Sequence, residues 1–235
     1  MNTDLPFDFQ KGELLLFDKE LNWTSFDVVK SVKLSLKRYL NVNKIKVGHA
    51  GTLDPLATGL LIVCTGKATK NISTIQEQKK VYTGSFILGA SRPSIDKETE
   101  IDKTFSTENI TEEDIYKTAE SFIGKIQQTP PIYSAVKVKG IRAYKLARDD
   151  DSQEIEIKSR FVRIHRFVIS EIKMPEVFFE IECSKGTYIR SIARDFGEKL
   201  NNGAYLNSLR RTYIGDFDVD DAITIEQFKH LLNTI

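Results

Sequence analysis

Cysteine is nearly missing from this chain: Cys64 and Cys183 are the two present in 235 residues. Both sit in apolar, strand-like segments far apart in sequence, and no apolar leader precedes them. That pattern reads as buried thiols in a reducing compartment, the cytoplasm, rather than as a disulfide. Long apolar runs are missing too, since nothing approaches the ~18 consecutive apolar residues of a membrane-spanning helix. The three histidines (His49, His165 and His230) and the cysteines are too scattered for a zinc site. No Gly-x-Gly-x-x-Gly follows a strand, and neither a phosphate-binding Gly-x-x-x-x-Gly-Lys-Ser/Thr loop nor a Gly-x-Ser-x-Gly elbow occurs. These absences remove the commonest dinucleotide, nucleoside-triphosphate and serine-nucleophile chemistries. Any catalysis must rest on carboxylates, tyrosines and arginines.

Net charge is also small, at +1, but the charges are segregated. From Val28 to Lys46 the charged residues are Lys30, Lys33, Lys37, Arg38, Lys44 and Lys46, with no acid among them. Lys125 to Arg148 is a second acid-free run; a third basic region spans Lys158–Arg166 and a fourth ends at Arg210 and Arg211. The acids gather elsewhere, at Asp96–Asp114, Asp149–Glu156 and Asp216–Glu226. Blocks of this kind give one face a positive potential on a nearly neutral molecule, which suits a polyanion partner.

Hydrophobic periodicity supplies the elements. Glu13–Phe17 reads as a short strand, and Thr24-Ser25-Phe26-Asp27 caps a helix carrying Val29, Val32, Leu36 and Tyr39 inward. Leu60–Cys64 is a buried strand, Gly66–Gln76 a short helix, and Lys80–Leu88 an alternating strand. Ala90–Ser106 reads as an acidic surface loop, and Thr111-x-x-Asp114 caps a helix through Phe122. Gln127–Lys139, with Pro130-Pro131, reads as extended and Arg142–Arg148 as a short basic helix. Strands follow at Ile155–Ile157, Phe161–Ile172 and Val177–Cys183, then a helix over Thr187–Leu200 and a strand over Ala204–Ile214. Thr224-x-x-Gln227 caps a last helix. With no regular βαβ rhythm, no repeat and no linker, the fold class is α+β around a large mixed sheet, in one domain.

The most unusual segment is Gly48-His49-Ala50-Gly51-Thr52-Leu53-Asp54-Pro55-Leu56-Ala57-Thr58-Gly59. Its glycines allow positive φ and close approach of backbone to a ligand. Asp54, placed before a proline, is biased away from helix. An Asp-Pro pair by itself is an ordinary turn signal. Here apolar Leu53 and Leu56 flank the aspartate and an apolar strand follows, so its carboxylate is partly desolvated and needs a partner.

Gly48–Gly59, continued by Leu60-Leu61-Ile62-Val63-Cys64-Thr65-Gly66-Lys67-Ala68-Thr69-Lys70, closely resembles the nucleophile motif of the TruB family of tRNA pseudouridine synthases. Lys80-Val81-Tyr82 resembles that family's Lys-x-Tyr strand. Gln128–Lys137 and Arg142-Ala143-Tyr144 resemble its RNA-gripping thumb, a segment of about residues 127–150. Cys183–Ser191 and Gly203–Thr212 resemble its last two motifs. The blocks occur in family order across nearly the whole chain. The resemblance implies the pseudouridine synthase fold, a mostly antiparallel mixed sheet flanked by helices and loops. It also implies isomerisation of the T-loop uridine conventionally numbered 55, without cofactor or metal.

Carried over residue by residue, the resemblance makes Asp54 the nucleophile and Arg190 the guanidinium that holds it ionised and aimed. Tyr82 stacks on the flipped uracil and is the candidate for late proton transfer. Tyr188 and Leu209 line the base pocket, and His49 contacts RNA near displaced bases. Attack at C1′, attack at C6 and elimination through a glycal all stay open for Asp54. The expected partner is the tRNA T-arm, met by a monomer needing no membrane and no obligatory protein partner. Many relatives continue into a C-terminal PUA module, and the expectation here is a catalytic domain alone. The acidic segment Asp149–Glu156 beside the thumb is unexpected next to RNA. Two rival readings are a glycosidase or nucleosidase using Asp54 with a second carboxylate, which is not evident among the motifs, and a non-catalytic RNA-binding module.

Overall fold

A computed structural model describes residues 7–134, 137–138, 141–142 and 157–234. The strands are β1 (Leu14–Lys19), β2 (Val47–His49), β3 (Thr58–Thr65), β4 (Lys80–Leu88), β5 (Ala90–Ser91), β6 (Lys103–Thr104), β7 (Gly124–Gln128), β8 (Lys137–Val138), β9 (Ile141–Arg142), β10 (Arg160–Lys173), β11 (Glu176–Cys183), β12 (Ala204–Ile214) and β13 (Phe217–Asp218). The helices are α1 (Ser25–Tyr39), α2 (Ile72–Glu77), α3 (Glu112–Glu120), α4 (Ile189–Lys199) and α5 (Ile225–Asn233), with 3-10 turns at Gly66–Asn71 and Val219–Asp221. The chain forms two compact units, Met1–Tyr82 with Leu209–Ile235, and Thr83–Ser208. It passes between them along β4 and β12.

In the first unit, β3 is the central strand. It pairs antiparallel with β1 and β2 and parallel with β12, where Arg210 and Arg211 face Thr58 and Gly59. Its side chains alternate between two apolar layers. Leu61 and Val63 join Phe17, Val28, Val32, Leu36 and Phe228, whereas Leu60, Ile62 and Cys64 join Ala50, Ile75 and Ile214. A strand buried on both faces has no polar phase, which is why its sequence is a continuous apolar run. Helix α1 starts at Thr24, whose hydroxyl accepts from the Asp27 N–H while Asp27 caps the Thr24 N–H. Val28, Val29, Val32 and Leu36 then fall on one buried stripe, each worth about 1.5–3 kcal/mol of apolar burial.

The second unit has strand order β12-β4-β11-β10-β7, with β10 antiparallel to both neighbours. Phe86, Phe122, Phe167, Phe179 and Phe196 interlock there, with centroids 4.3 Å apart for Phe86–Phe179 and 5.5 Å for Phe86–Phe196. Aromatic pairs at such spacings add ~0.5–1.5 kcal/mol each beyond their buried area. The mixed pairing and segregated helices make the fold α+β, as expected.

The expected Lys80–Leu88 and Ala204–Ile214 strands have those bounds, and all three capping boxes form. Cys64 and Cys183 are free and buried. The expected Ala90–Ser106 surface loop is corrected: Ser94, Ile95 and Asp96 are buried, and Ile95 adopts φ 62°. Arg142 closes β9. The rest of the expected Arg142–Arg148 helix, residues 155–156 of the expected Ile155–Ile157 strand, and the acidic segment Asp149–Glu156 lie outside the described residues. Ile157 is in no regular element. Among the described residues, no helix is long and apolar enough to cross a membrane.

Candidate active site

The Gly48–Gly59 segment leaves β2, turns at Asp54 and returns as β3. Ala57 donates to the Asp54 carbonyl at 3.0 Å, closing a turn over Pro55 and Leu56, and half-buried Asp54 opens it. Three buried polar side chains grip this turn.

Arg211, 1% exposed, comes from β12. Its Nε donates to the Leu60 carbonyl at 2.8 Å, Nη2 to Gly51 at 3.1 Å and Nη1 to Thr52 at 3.5 Å. One planar guanidinium thus satisfies carbonyls on both limbs of the segment, a fork geometry that lysine lacks. Gly59 permits the approach: its φ is +102° and an added Cβ would lie 2.3 Å from the Arg211 carbonyl.

Ser25, the first residue of α1, is 2% exposed and bonds Leu53 twice. Its Oγ donates to the Leu53 carbonyl (3.1 Å) and accepts the Leu53 N–H (2.8 Å). The residue before Asp54 is therefore fixed to the start of a helix.

Lys19, at the end of β1, is 1% exposed. Its Nζ donates to the carbonyls of Trp23 (2.7 Å), Glu20 (2.9 Å) and Pro55 (3.4 Å). Burial pushes its ammonium down from the usual 10.5 to about 8, and the charge of Asp54 pulls it partly back up. An ammonium therefore sits within electrostatic reach of the proposed nucleophile, in a socket of carbonyl oxygens.

His49 lies on β2 and is half-buried. Burial holds its imidazole below the ordinary value, the Gly51 backbone opposes that, and the Arg211 guanidinium adds to it. The buried Nδ1 makes no hydrogen bond of good geometry among the described residues. Tyr82 is buried on β4, and Leu209 is half-buried on the adjacent β12. His49, Asp54, Tyr82 and Leu209 thus all belong to the first unit.

Tyr188 and Arg190 belong to the second. Tyr188 is the residue before α4; its N–H donates to Gln128 Oε1 (2.8 Å) and its carbonyl accepts from Gln128 Nε2 (3.1 Å). The Arg160 guanidinium lies 4.9 Å from its ring centre. Arg190 is 5% exposed, not a surface arginine. It donates to the carbonyls of Ser94 (3.1 Å) and Tyr133 (2.8 Å) and pairs with Asp96 at 3.5 Å, itself 6% exposed. Two buried ions of opposite charge, each further hydrogen-bonded, hold the start of α4 to the 94–96 turn.

Sequence reasoning missed Lys19, Ser25 and Asp96, and it misread Arg210 and Arg211 as the end of a basic face. Arg210 instead forms a two-pronged pair with Asp18, at 2.7 and 2.9 Å. One signal was available: in β1, Lys19 shares the inward phase of fully buried Phe17, so a period-2 reading would have turned it inward. Among the described residues, no cluster of His, Cys, Asp and Glu could hold a metal ion.

Comparison with known proteins bears on what this arrangement does. A family model described as TruB family pseudouridylate synthase (N terminal domain) matches residues 37–189. A second, described as tRNA pseudouridylate synthase B C-terminal domain, matches residues 190–234. The chain is 53% identical to the tRNA pseudouridine synthase B of Flavobacterium johnsoniae, over 97% of this chain and 99% of that one. It is 50% identical to the protein of the same name from Phocaeicola vulgatus, over 96% and 95% of the two chains. Among solved structures it is similar to a chain in a Cbf5-Nop10-Gar1 complex, with TM-score 0.70, 29% identity and 94% of this chain covered. It spans only about half of that chain, 54%. A chain in an H/ACA RNP bound to a substrate RNA containing 2'-deoxyuridine gives TM-score 0.66 at 26% identity, covering 94% of this chain and 53% of that one. With the Asp54 turn, its clamps and matches along nearly the full length in view, this chain belongs to the TruB family of pseudouridylate synthases.

Proposed function

We propose that this chain converts one uridine of tRNA, the T-loop uridine conventionally numbered 55, into pseudouridine. The observation that carries the reading is the Asp54 turn, held by Arg211, Ser25 and Lys19 so that one half-buried carboxylate is presented at a fixed point. Such preorganisation is what a nucleophile needs and what a surface turn lacks.

The reaction breaks the bond from C1′ to N1, rotates the base and joins C1′ to C5; N1 gains a proton and C5 loses one. Product and substrate are isomers, so the balance calls for no co-reactant. A carboxylate divides the exchange into two steps, whether it attacks C1′, attacks C6 or promotes elimination to a glycal. Arg190 acts on the Asp54 carboxylate, keeping it ionised; its own anchorage to Asp96 and two carbonyls supports that role by limiting its freedom. Tyr82 stacks on the extruded uracil, recovering part of the unstacking energy. Tyr188 and Leu209 line the base pocket, and His49, whose depressed basicity suits a neutral ring, meets the RNA beside it. The acting unit is a single chain forming one catalytic domain in the cytoplasm, gripping the T-arm with its thumb at about residues 127–150 and with the cationic side of α1.

The test incubates purified protein with unmodified tRNA transcript, maps pseudouridine by carbodiimide-stop primer extension and assays released uracil. A single stop in the T-loop with no free base is expected. Free uracil would make the protein a hydrolase, and binding without product would make it an RNA-binding module.

A further inference from the structure

Helix α4 begins without the usual local cap. Its N-cap position is Tyr188, whose side chain makes no cap hydrogen bond among the described residues, and its first turn holds no acid. Serine, threonine, aspartate or asparagine is the ordinary choice there and adds about 0.5–2 kcal/mol over alanine. Helices α1, α3 and α5 each take a threonine in that place and complete the capping box. A tyrosine at the start of α4 forgoes that contribution, so other groups must fix where this helix begins.

Two side chains do so, and they are cross-strand neighbours. In the antiparallel β7–β10 ladder Gln128 stands directly opposite Arg160, and opposed residues project to the same face of a sheet. Gln128, 1% exposed, takes the Tyr188 backbone by both its polar groups, accepting the N–H at Oε1 (2.8 Å) and donating Nε2 to the carbonyl (3.1 Å). That carbonyl also accepts the Ile192 N–H at 3.1 Å, the bond that opens the helix. Arg160 takes the same residue by its ring: the guanidinium lies 4.9 Å from the ring centre, and Nη2 donates to the Gly186 carbonyl. One strand pair thus grips one tyrosine by backbone and by side chain. The grip extends along the helix, where the Ser191 hydroxyl donates to the Thr129 carbonyl at 2.8 Å and Arg194 Nη2 to the same oxygen at 3.2 Å. Stability alone would be better served by a threonine at 188. A ring kept there and fixed from two sides is what a side chain of defined orientation needs.

We infer that Gln128 and Arg160 are positioning residues for Tyr188: the amide sets where the residue stands and the guanidinium sets the plane of its ring. The inference rests on the proposed place of Tyr188 in the base pocket. It adds to that pocket the two groups that orient its wall.

Gln128→Met keeps the length of the side chain and removes both bonds. With protein in excess over unmodified tRNA transcript, single-turnover pseudouridine formation should slow about 10–100-fold, the loss expected when a positioned group shifts by ~1 Å. Affinity for tRNA should stay within about twofold. Arg160→Lys keeps the charge but loses the planar face on the ring, and should slow the same step about 2–5-fold at unchanged affinity. A double-mutant cycle with Tyr188→Leu isolates the route. In that background Gln128→Met should alter the rate by less than about twofold, because the ring that it orients is gone. Should Gln128→Met fail to fold, Gln128→Glu, which keeps an acceptor for the Tyr188 N–H, takes its place in the cycle.

A Gln128→Met protein whose Tm falls while its single-turnover rate holds would show an amide that serves the fold alone, and the inference is overturned. An undiminished rate loss from Gln128→Met in the Tyr188→Leu background overturns it too, since the effect then runs through another group. Weakened tRNA affinity at an unaltered rate in Arg160→Lys would assign the guanidinium to the RNA, again against the inference. If the wild-type protein forms no pseudouridine, the proposed reaction falls and takes this inference with it. An active wild type beside an equally fast Gln128→Met removes the inference alone.

Discussion

Removing one oxygen atom, in Ser25→Ala, isolates the value of a preformed Asp54 turn. The hydroxyl makes two bonds to the same residue, with the Leu53 N–H at 2.8 Å and the Leu53 carbonyl at 3.1 Å, where Ser25 is 2% and Leu53 4% exposed. Alanine keeps the helix start and most of the volume, so little cavity forms, but two buried backbone groups lose their partner. Each orphaned group costs about 1–3 kcal/mol when water cannot reach it. The sum is about 2–6 kcal/mol, reduced toward 2 if a water enters from the half-buried Asp54 side. Urea unfolding should therefore show a lower midpoint at unchanged slope, because the surface exposed on unfolding is the same. Since Leu53 precedes Asp54 directly, single-turnover pseudouridine formation should slow about 10–100-fold, as misplacement by ~1 Å does in positioned reactions. Affinity for tRNA should stay the same. A variant whose stability falls by less than about 0.5 kcal/mol and whose single-turnover rate is unaltered would refute the argument that this serine holds the turn.

Asp54→Asn should abolish detectable pseudouridine while leaving tRNA affinity within about twofold, measured by filter binding beside primer extension; residual turnover would remove Asp54 as nucleophile. For Lys19, the folded value near 8 lies below the ordinary 10.5. Between those pH values the unfolded chain holds a proton that the folded chain has released, so stability rises with pH across that window. Below about 8 both states hold it, and the folded state bears the whole burial cost, at most about 3 kcal/mol. Urea midpoints of the wild type relative to Lys19→Met should accordingly climb from pH 7.5 to about 10; a flat difference would show that the ammonium is not desolvated. Arg190→Ala strands buried Asp96 and should cost about 3–5 kcal/mol. That is roughly a 10 °C fall in Tm for a chain of this size, read by calorimetry, with Asp96→Asn milder. A Tm within about 2 °C of wild type would deny the pair its anchoring role.

Local chemistry made part of this molecule legible. A threonine three residues before an acid or amide announces each of α1, α3 and α5, because the cap is completed within four residues of chain. Strand β3 announced itself because burial on both faces leaves no polar phase. What stayed hidden is what long-range partners decide. Arg211 sits in a run that looks like a cationic patch, and only its pairing opposite Gly59 turns it inward. Asp96 lies in a polar stretch without period, which resembles solvated loop until Arg190 is placed beside it. Ser25 stands beside a capping threonine and looks like one more cap residue; its hydroxyl instead serves a segment 28 residues away. Composition says that such groups exist, but the distant acceptor determines which of them are buried.

The clamp of Arg211 on Leu60 joins residues 151 positions apart, and this has a consequence for how the protein comes into being. On the ribosome, β3 and the aspartate turn emerge long before β12, so for most of synthesis their carbonyls have no guanidinium to meet. The turn can take its clamped shape only once β12 has been made and has paired beside β3, a non-local contact of the kind that forms slowly. The segment that bears Asp54 therefore gains its Arg211 clamp late, with the docking of a single strand.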